Sequence, residues 1–141
     1  MRWLVVLVFA LLACPAQDLS AVKSEPDPEK RSDRALDAAE RNLGVARDTY
    51  AAGDYKTALT GLDEIRAAVD LSRQSLADSH RNPRKSKYYK RAELRTRELA
   101  RHLEEFARES SVEDRPSIEA LVQHVNQVHD ELLSGILEKK K

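Results

Sequence analysis

The sequence predicts an all-α protein, an antiparallel helical bundle of about four helices that follows an N-terminal signal and a disordered tether. Composition is the first support: of the 141 residues, 34% are charged and 5% are aromatic, with four Gly and five Pro. These values disfavour a β-sandwich, a dinucleotide-binding fold and a Gly-rich phosphate loop. The second support is that apolar residues recur at a three-four spacing through most of the chain, which is typical of helices around one core.

The first two predicted helices form a hairpin. The first begins near Asp33, a candidate N-cap, and its apolar positions are Leu36, Ala39, Leu43, Ala46 and Tyr50. The second helix has Ser72 at its one non-apolar position, and its other stripe residues are Tyr55, Ala58, Leu62, Ile65, Val69 and Leu76. Gly53 and Asp54 between them supply a helix stop and a cap, which predicts a tight turn.

Two further helices complete the predicted bundle. The third has Thr96 in a stripe of Tyr89, Ala92, Leu99, Leu103 and Phe106, and this register makes Tyr89 a core residue. The fourth has the broadest apolar face, with Ile118, Leu121, Val122, Val125, Val128, Leu132, Leu133 and Ile136. Pro83 separates the second and third helices, and the fourth is expected to begin with Ser111 or Asp114 as its cap and Pro116 in its first turn. Short connections predict an up-down-up-down arrangement.

The turn between the first two helices carries a family resemblance. The run from Tyr50 to Leu59, YAAGDYKTAL, resembles the turn and second helix of a tetratricopeptide repeat, through its Gly-Asp-Tyr turn and the small Ala58. The Trp, Leu and Gly expected in the first helix of that family are replaced by Asn42, Val45 and Ala46. Because no second copy follows, we expect one such hairpin within a bundle and no peptide-binding array.

The N-terminus predicts export. Met1, Arg2 and Trp3 form a short cationic start, and an unbroken apolar run follows from Leu4 to Ala13. As a helix this run would extend only about 15 Å, half of the hydrocarbon thickness, so it is too short for a permanent membrane span. Beyond this signal the chain resembles small uncharacterised exported helical proteins of bacteria, a resemblance that implies no activity.

Two processing sites compete at the end of the signal. Leu11-Leu12-Ala13-Cys14 resembles a bacterial lipobox, which implies that Cys14 becomes the first mature residue and carries lipid. The alternative is ordinary cleavage after Ala16, which makes residues 1–16 the signal peptide and leaves the protein periplasmic or secreted. Since Cys14 is the only cysteine, neither alternative allows an intramolecular disulfide.

The mature chain divides into three predicted parts. Residues 17–31 contain Pro26 and Pro28 among acidic residues and few apolar ones, so they are expected to form a flexible tether. Residues 32–138 form the bundle domain. Lys139, Lys140 and Lys141 form a basic tail.

Charge is segregated along the second half of the chain. The total of 24 basic and 24 acidic residues is neutral, but residues 80–101 carry a net charge of +7 and residues 102–138 a net charge of −7. Cations at the start of the third helix also face the positive end of its backbone dipole, which costs up to about 1 kcal/mol per charge. The sequence thus marks a candidate anion-binding or partner surface, which consists of Arg81, Arg84, Lys85, Lys87, Tyr88, Lys90 and Arg91.

A second interpretation of this cluster is internal neutralisation. Antiparallel packing would place the start of the third helix near the ends of the second and fourth, where the acidic residues are Asp78, Asp130, Glu131 and Glu138. Surface ion pairs of this kind contribute little individually. Nucleic acid, which a basic patch with tyrosines would otherwise suggest as a partner, is disfavoured by export.

The sequence shows no recognisable catalytic or cofactor motif. Its histidines are His80, His102, His124 and His129, and none is spaced to share a metal on one helical face. No Cys-x-x-Cys-His or nucleophile elbow is present, so we predict no enzyme, no metal and no cofactor.

These observations lead to one functional hypothesis and one alternative. The hypothesis is a lipid-anchored, non-enzymatic bundle that binds a protein or an anionic component of the cell envelope. The alternative is a soluble periplasmic or secreted bundle with a small ligand or metal between its helices. The apolar stripes would also suit a homo-oligomer.

Overall fold

Five α-helices make up the computed structural model, which describes residues 19–138. They are α1 (Leu19–Lys23), α2 (Pro28–Ala51), α3 (Tyr55–Asp78), α4 (Lys87–Glu109) and α5 (Arg115–Leu137). The predicted signal, Cys14 and the basic tail lie outside the described residues. The all-α class and the four long helices are as the sequence predicts.

The N-terminal part of the bundle differs from the expected tether over residues 19–31. Val22 on α1 is 2% exposed, and Leu19 packs against the core. The segment therefore packs apolar side chains against the bundle. Asp27 caps α2 by accepting hydrogen bonds from the backbone N–H groups of Glu29 and Lys30, at 2.9 and 3.3 Å. Pro28 at the first helical position needs no N–H partner, so Asp-Pro starts a helix here. The predicted start at Asp33 is wrong by more than one helical turn.

The long helices pack as two antiparallel hairpins, α2 with α3 and α4 with α5. The hairpins meet with α2 beside α4 and α3 beside α5, and α3 touches α4 only slightly. Along α2, Asp33 contacts Arg91 and Arg47 contacts Glu109, so residue numbers rise together on α2 and α4 and these two helices run parallel. The start of α4 therefore lies beside the start of α2.

The core lies between the hairpins and uses small residues on α2. Ala35, Ala38 and Ala39 are 0% exposed, which allows neighbouring helices to approach closely. Larger side chains of the other helices fill the remaining space, and those with almost no exposure include Ile65, Leu76, Leu99, Leu103, Phe106, Ile118, Leu121 and Val125. Dense apolar packing of this kind is the main stabilising contribution in a bundle without a disulfide.

Polar residues that interrupt the apolar stripes are satisfied inside the bundle. Ser72 on α3 is buried, and its hydroxyl shares a hydrogen bond of 2.7 Å with the hydroxyl of Ser32 on α2. The hydroxyl of Thr96 donates to the carbonyl of Ala92 at 2.8 Å within α4. The hydrogen bond between Ser32 and Ser72 thus joins α2 to α3 at a position where the sequence pattern shows only a missing apolar residue.

The turn between α2 and α3 forms as the sequence predicts. Gly53 has a φ of 90°, a left-handed conformation that favours glycine, and the Asp54 carboxylate accepts a hydrogen bond from the N–H of Thr57 at 3.2 Å. Ala58 is 1% exposed, whereas Tyr55 at the helix start is 53% exposed and so departs from its predicted stripe. The resemblance to a tetratricopeptide repeat stays a prediction.

The connection between α4 and α5, which lies at the same end of the bundle as the Gly53 turn, is held by Tyr50. Its hydroxyl donates to the carboxylate of Asp114 at 2.8 Å and accepts from the N–H of Ser111 at 2.9 Å. Asp114 occupies the N-cap position of α5, as predicted, but makes no side-chain capping bond there.

Among residues 19–138, no helix is long and apolar enough to cross a membrane.

Candidate functional site

The seven residues marked by the sequence lie together at one end of the bundle, in the α3–α4 loop and the first turns of α4. We call this cluster the basic corner; it consists of Arg81, Arg84, Lys85, Lys87, Tyr88, Lys90 and Arg91. Its six cationic residues are exposed, and Tyr88 is half-buried against the core. The structure therefore brings the whole predicted cluster to one surface.

Ser86 positions the basic corner. Its hydroxyl accepts hydrogen bonds from the N–H groups of Tyr88 and Tyr89, at 3.2 and 3.4 Å, and so caps α4. The same hydroxyl donates to the carboxylate of Glu29 on α2 at 2.6 Å. Because Asn82 holds the preceding turn through its carbonyl, which accepts from the N–H groups of Lys85 and Ser86, the loop cations are displayed on an ordered backbone.

Two cations of the basic corner have carboxylate partners on α2. The Arg91 guanidinium lies 2.8 Å from the Asp33 carboxylate, and the Nε of Arg81 lies 3.4 Å from that of Glu29. Arg91 also lies over the Tyr88 ring, 5.4 Å from its centroid, with the Lys87 ammonium 5.3 Å from the same centroid. These contacts hold Tyr88 between two cations.

The remaining cations of the basic corner are Arg84, Lys85, Lys87 and Lys90, which we call the four uncompensated cations. Among the described residues, no carboxylate oxygen lies within 4.0 Å of their side-chain nitrogens. Lys87 and Lys90 stand in or beside the first turn of α4, which contains no acidic residue. Their charges are therefore exposed to solvent, and they also lie near the positive end of the helix dipole, which is unfavourable for cations.

Three of the four acidic residues expected to neutralise this cluster contact other side chains. Asp78 lies 3.7 Å from Arg31, Glu131 lies 3.1 Å from Arg73, and Asp130 lies 3.1 Å from His129. Glu138, the fourth, makes no ion pair with a described residue. The ends of α3 and α5 lie near the start of α4 as expected, but the carboxylates that pair with the basic corner come from α2, which runs parallel to α4 beside it.

The α2–α4 pairing centres on Arg95. Its guanidinium makes two hydrogen bonds of 2.9 Å with Glu40, one of 2.6 Å with Asp37 and one of 3.0 Å with Asp33. These carboxylates lie on one face of α2, four and three residues apart. Burial by itself lowers the pKa of Arg95, but the hydrogen bonds and charges of Glu40 and Asp37 outweigh it and raise that pKa above its ordinary value.

A cleft of about 410 Å³ opens beside the basic corner, lined by Arg81, Lys85, Lys87, Tyr88, Asn82, Ser86 and Glu29. Glu29 was missed in the sequence because residues 17–31 were assigned to the tether. Its side chain is only 17% exposed, and Arg81 balances its charge. The cleft therefore contains a carboxylate as well as cations and is not a simple pocket for one small anion.

Two further cations join this end of the bundle. Lys23 ends α1 and Lys30 lies in the first turn of α2, and both are exposed without a carboxylate partner among the described residues. The sequence could have indicated the place of Lys23 and Lys30 through the Asp27-Pro28 pair, which is typical of a helix start and so predicts that this segment adjoins the bundle.

Burial also perturbs Tyr89, which lies next to the basic corner. Its hydroxyl donates to the carbonyl of Leu76 at 3.0 Å and so joins α4 to the end of α3. Burial of the ring, followed by the nearby negative charge of Glu29, raises the pKa of Tyr89 above its ordinary value. Tyr89 is half-buried, where the sequence register predicted a core position.

Two of the four histidines, His129 and His124, join helices at separate places. His129 on α5 lies 2.8 Å from the Glu93 carboxylate on α4, and His124 lies 2.7 Å from Asp70 on α3. Within residues 19–138, no group of three His, Cys, Asp or Glu side chains is arranged to hold a metal ion.

The role of Arg95 can be tested by Arg95→Gln. The substitution leaves Asp33, Asp37 and Glu40 repelling one another beside α4, so we expect the free energy of unfolding to fall by about 2 kcal/mol. Urea unfolding followed by circular dichroism measures this. Arg97→Gln is the matched control: Arg97 is 61% exposed with one 3.9 Å contact to Glu93, and its loss should cost less than about 0.5 kcal/mol. Equal effects of the two substitutions would contradict the assignment.

Comparisons of the chain with models of protein families, with curated proteins and with solved structures give no match.

Proposed function

We propose that this protein is an exported, lipid-anchored, non-enzymatic helical bundle that binds a protein or an anionic surface of the cell envelope through its basic corner. The observation that carries the proposal is the set of four uncompensated cations. Arg95 and Arg101, further along α4, have carboxylate partners, whereas these four lie exposed next to one another on a surface held in place by Ser86. A cation cluster that the fold leaves unpaired favours an external anionic partner.

The interior of the bundle supports binding at the surface over an enclosed ligand. The space between the hairpins is filled by apolar side chains, such as Leu36, Leu99 and Phe106, which are 1–2% exposed. The polar groups buried there, such as Ser32 and Ser72, bond to each other. The alternative of a ligand held between helices would need polar groups that converge on a cavity.

The anchor is proposed from the lipobox resemblance at Cys14. The folded part supports it through its geometry, since α1 packs at the start of α2, at the same end as the basic corner. Leu19, the first described residue, follows Cys14 by five positions, a span of at most about 18 Å. A lipid on Cys14 would therefore hold this end of the bundle near a membrane.

Anchoring is tested with Cys14→Ser in the native host. We expect the wild-type protein to fractionate with membranes, with an intact mass that starts at a lipid-modified Cys14, because a thiol is needed to carry the lipid. The Cys14→Ser protein should lose both the added mass and the membrane association. A wild-type chain that begins at Gln17 and is freely soluble would contradict the anchor.

The interaction surface is tested with two matched variants of the chain 17–141, each lowering the charge by three. The corner variant carries Arg84→Gln, Lys85→Gln and Lys90→Gln. The control variant carries Lys56→Gln, Arg66→Gln and Arg108→Gln. The control residues also lack an ion pair with a described residue, and Lys56 and Arg108 lie at the opposite end of the bundle.

We expect a column of immobilised dextran sulfate to retain the wild-type chain at neutral pH and low salt. The chain has no net positive charge, so retention requires a local cluster. The corner variant should elute at a much lower salt concentration than the wild type. The control variant should elute at nearly the same salt concentration as the wild type. Equal elution of the two variants would contradict the basic corner as the binding surface.

A further inference from the structure

We propose that the anionic partner of the basic corner is the headgroup layer of a membrane rich in anionic phospholipids, on which the bundle stands end-on. This inference rests on the proposed function and specifies its partner. It depends on where the four uncompensated cations lie relative to the helix axes and to the N-terminal end of the described chain.

The first step is that one end of the bundle collects cations from several elements. Arg84 and Lys85 come from the α3–α4 loop, Lys87 and Lys90 from the start of α4, and Lys23 and Lys30 from the segment around α1. The carboxylates nearby are engaged by other cations: Glu25 by Arg34, Glu29 by Arg81 and Asp33 by Arg91. Glu138, which follows α5 at this end, has no ion pair with a described residue, but the six unpaired cations outnumber it, so the exposed charge at this end is positive.

The second step distinguishes a surface from a single anion. A small phosphate site needs donors that converge on one point, and here the cleft beside the basic corner has Glu29 among its lining residues. The uncompensated cations instead lie on a loop and at the start of a helix, and all four are exposed. Such a spread of long cationic side chains matches a plane of many headgroups better than one bound ion.

The third step is the direction from which a membrane would approach. The chain enters the described fold at Leu19, at the same end of the bundle as the basic corner. The opposite end, at the Gly53 turn, is about 36 Å away along the 24 residues of α2. At physiological salt this distance is several Debye lengths, so only the end with the basic corner would feel the surface potential of that membrane.

The fourth step is the contribution of Tyr88. Its half-buried ring lies between Lys87 and Arg91 at the edge of the cleft. Tyrosine has an apolar ring and a polar hydroxyl, a combination that suits the headgroup level of a bilayer. The corner thus combines charge with an amphipathic side chain on one face.

The test measures binding of the chain 17–141 to vesicles by sedimentation, with no lipid on the protein. This chain contains every described residue, and a cooperative unfolding transition is recorded first for each variant. We expect binding to phosphatidylcholine vesicles that contain phosphatidylglycerol and no binding to phosphatidylcholine alone. Each cation near an anionic surface contributes about fivefold in affinity, so the corner variant should bind roughly 100-fold more weakly.

Controls separate this inference from the proposed function. The control variant should bind the anionic vesicles within a few-fold of wild type, and binding should fall at about 0.15 M salt. Equal loss in the two variants, or no binding of the wild type to anionic vesicles, overturns the membrane proposal. If dextran sulfate still retains the wild type and releases the corner variant early, the proposed anionic-surface function stands with a polymer or an acidic protein as the partner. If both probes fail, both proposals fall.

Discussion

The ion pairing between α2 and α4 is the constraint on which the surface of this bundle depends. Asp33, Asp37 and Glu40 meet the guanidinium of Arg95, and Asp33 also binds Arg91. At the other end of the same pair the charges are reversed, because Arg47 on α2 binds Glu109 on α4. This complementary order suits the parallel alignment of the two hairpins. It also uses carboxylates of α2, so that the four uncompensated cations, in the preceding loop and the first turns of α4, have no carboxylate partner among the described residues.

The pairing also explains why the two ends of the bundle differ. One end has the α3–α4 loop, the starts of α2 and α4, and the exposed cations. The other has the Gly53 turn and the α4–α5 connection, where Tyr50 bonds both Ser111 and Asp114 and packs against Phe106 at 5.4 Å between ring centroids. In the proposed function this asymmetry orients the protein, because the four uncompensated cations lie together at the end that also holds the segment leading to Cys14.

The sequence predicted the helices well because their periodicity is strong. The stripes of α3 and α5 coincide with buried residues such as Ile65 and Val125, and the Gly53-Asp54 turn forms as expected. Periodicity does not show the start of α2 because its first turns bury serine and alanine, and a proline among acidic residues is also typical of an extended tether. The Asp27-Pro28 pair is a helix start that local chemistry could have identified.

The partners of the basic corner could not be predicted in the same way. Periodicity shows which face of a helix is buried, but it does not show which helices lie side by side. The predicted antiparallel arrangement suggested Asp78 and Glu131 as partners, and the sequence did not show that α2 and α4 would be neighbours. The sequence alone predicted where the cation cluster lies along the chain. Which of its cations have carboxylate partners becomes evident only from the packing of the two hairpins.

The central claim is that the pairing of α2 with α4 leaves the basic corner as the binding surface of the bundle. The most direct test records the amide spectrum of isotope-labelled chain 17–141 during titration with bicelles that contain phosphatidylglycerol. The account predicts that the largest saturable shifts fall on residues 84–91, with smaller ones around Lys23 and Lys30, while residues 54–57 and 110–114 stay unchanged. Shifts centred on the Gly53 turn, or none at the basic corner, would contradict it.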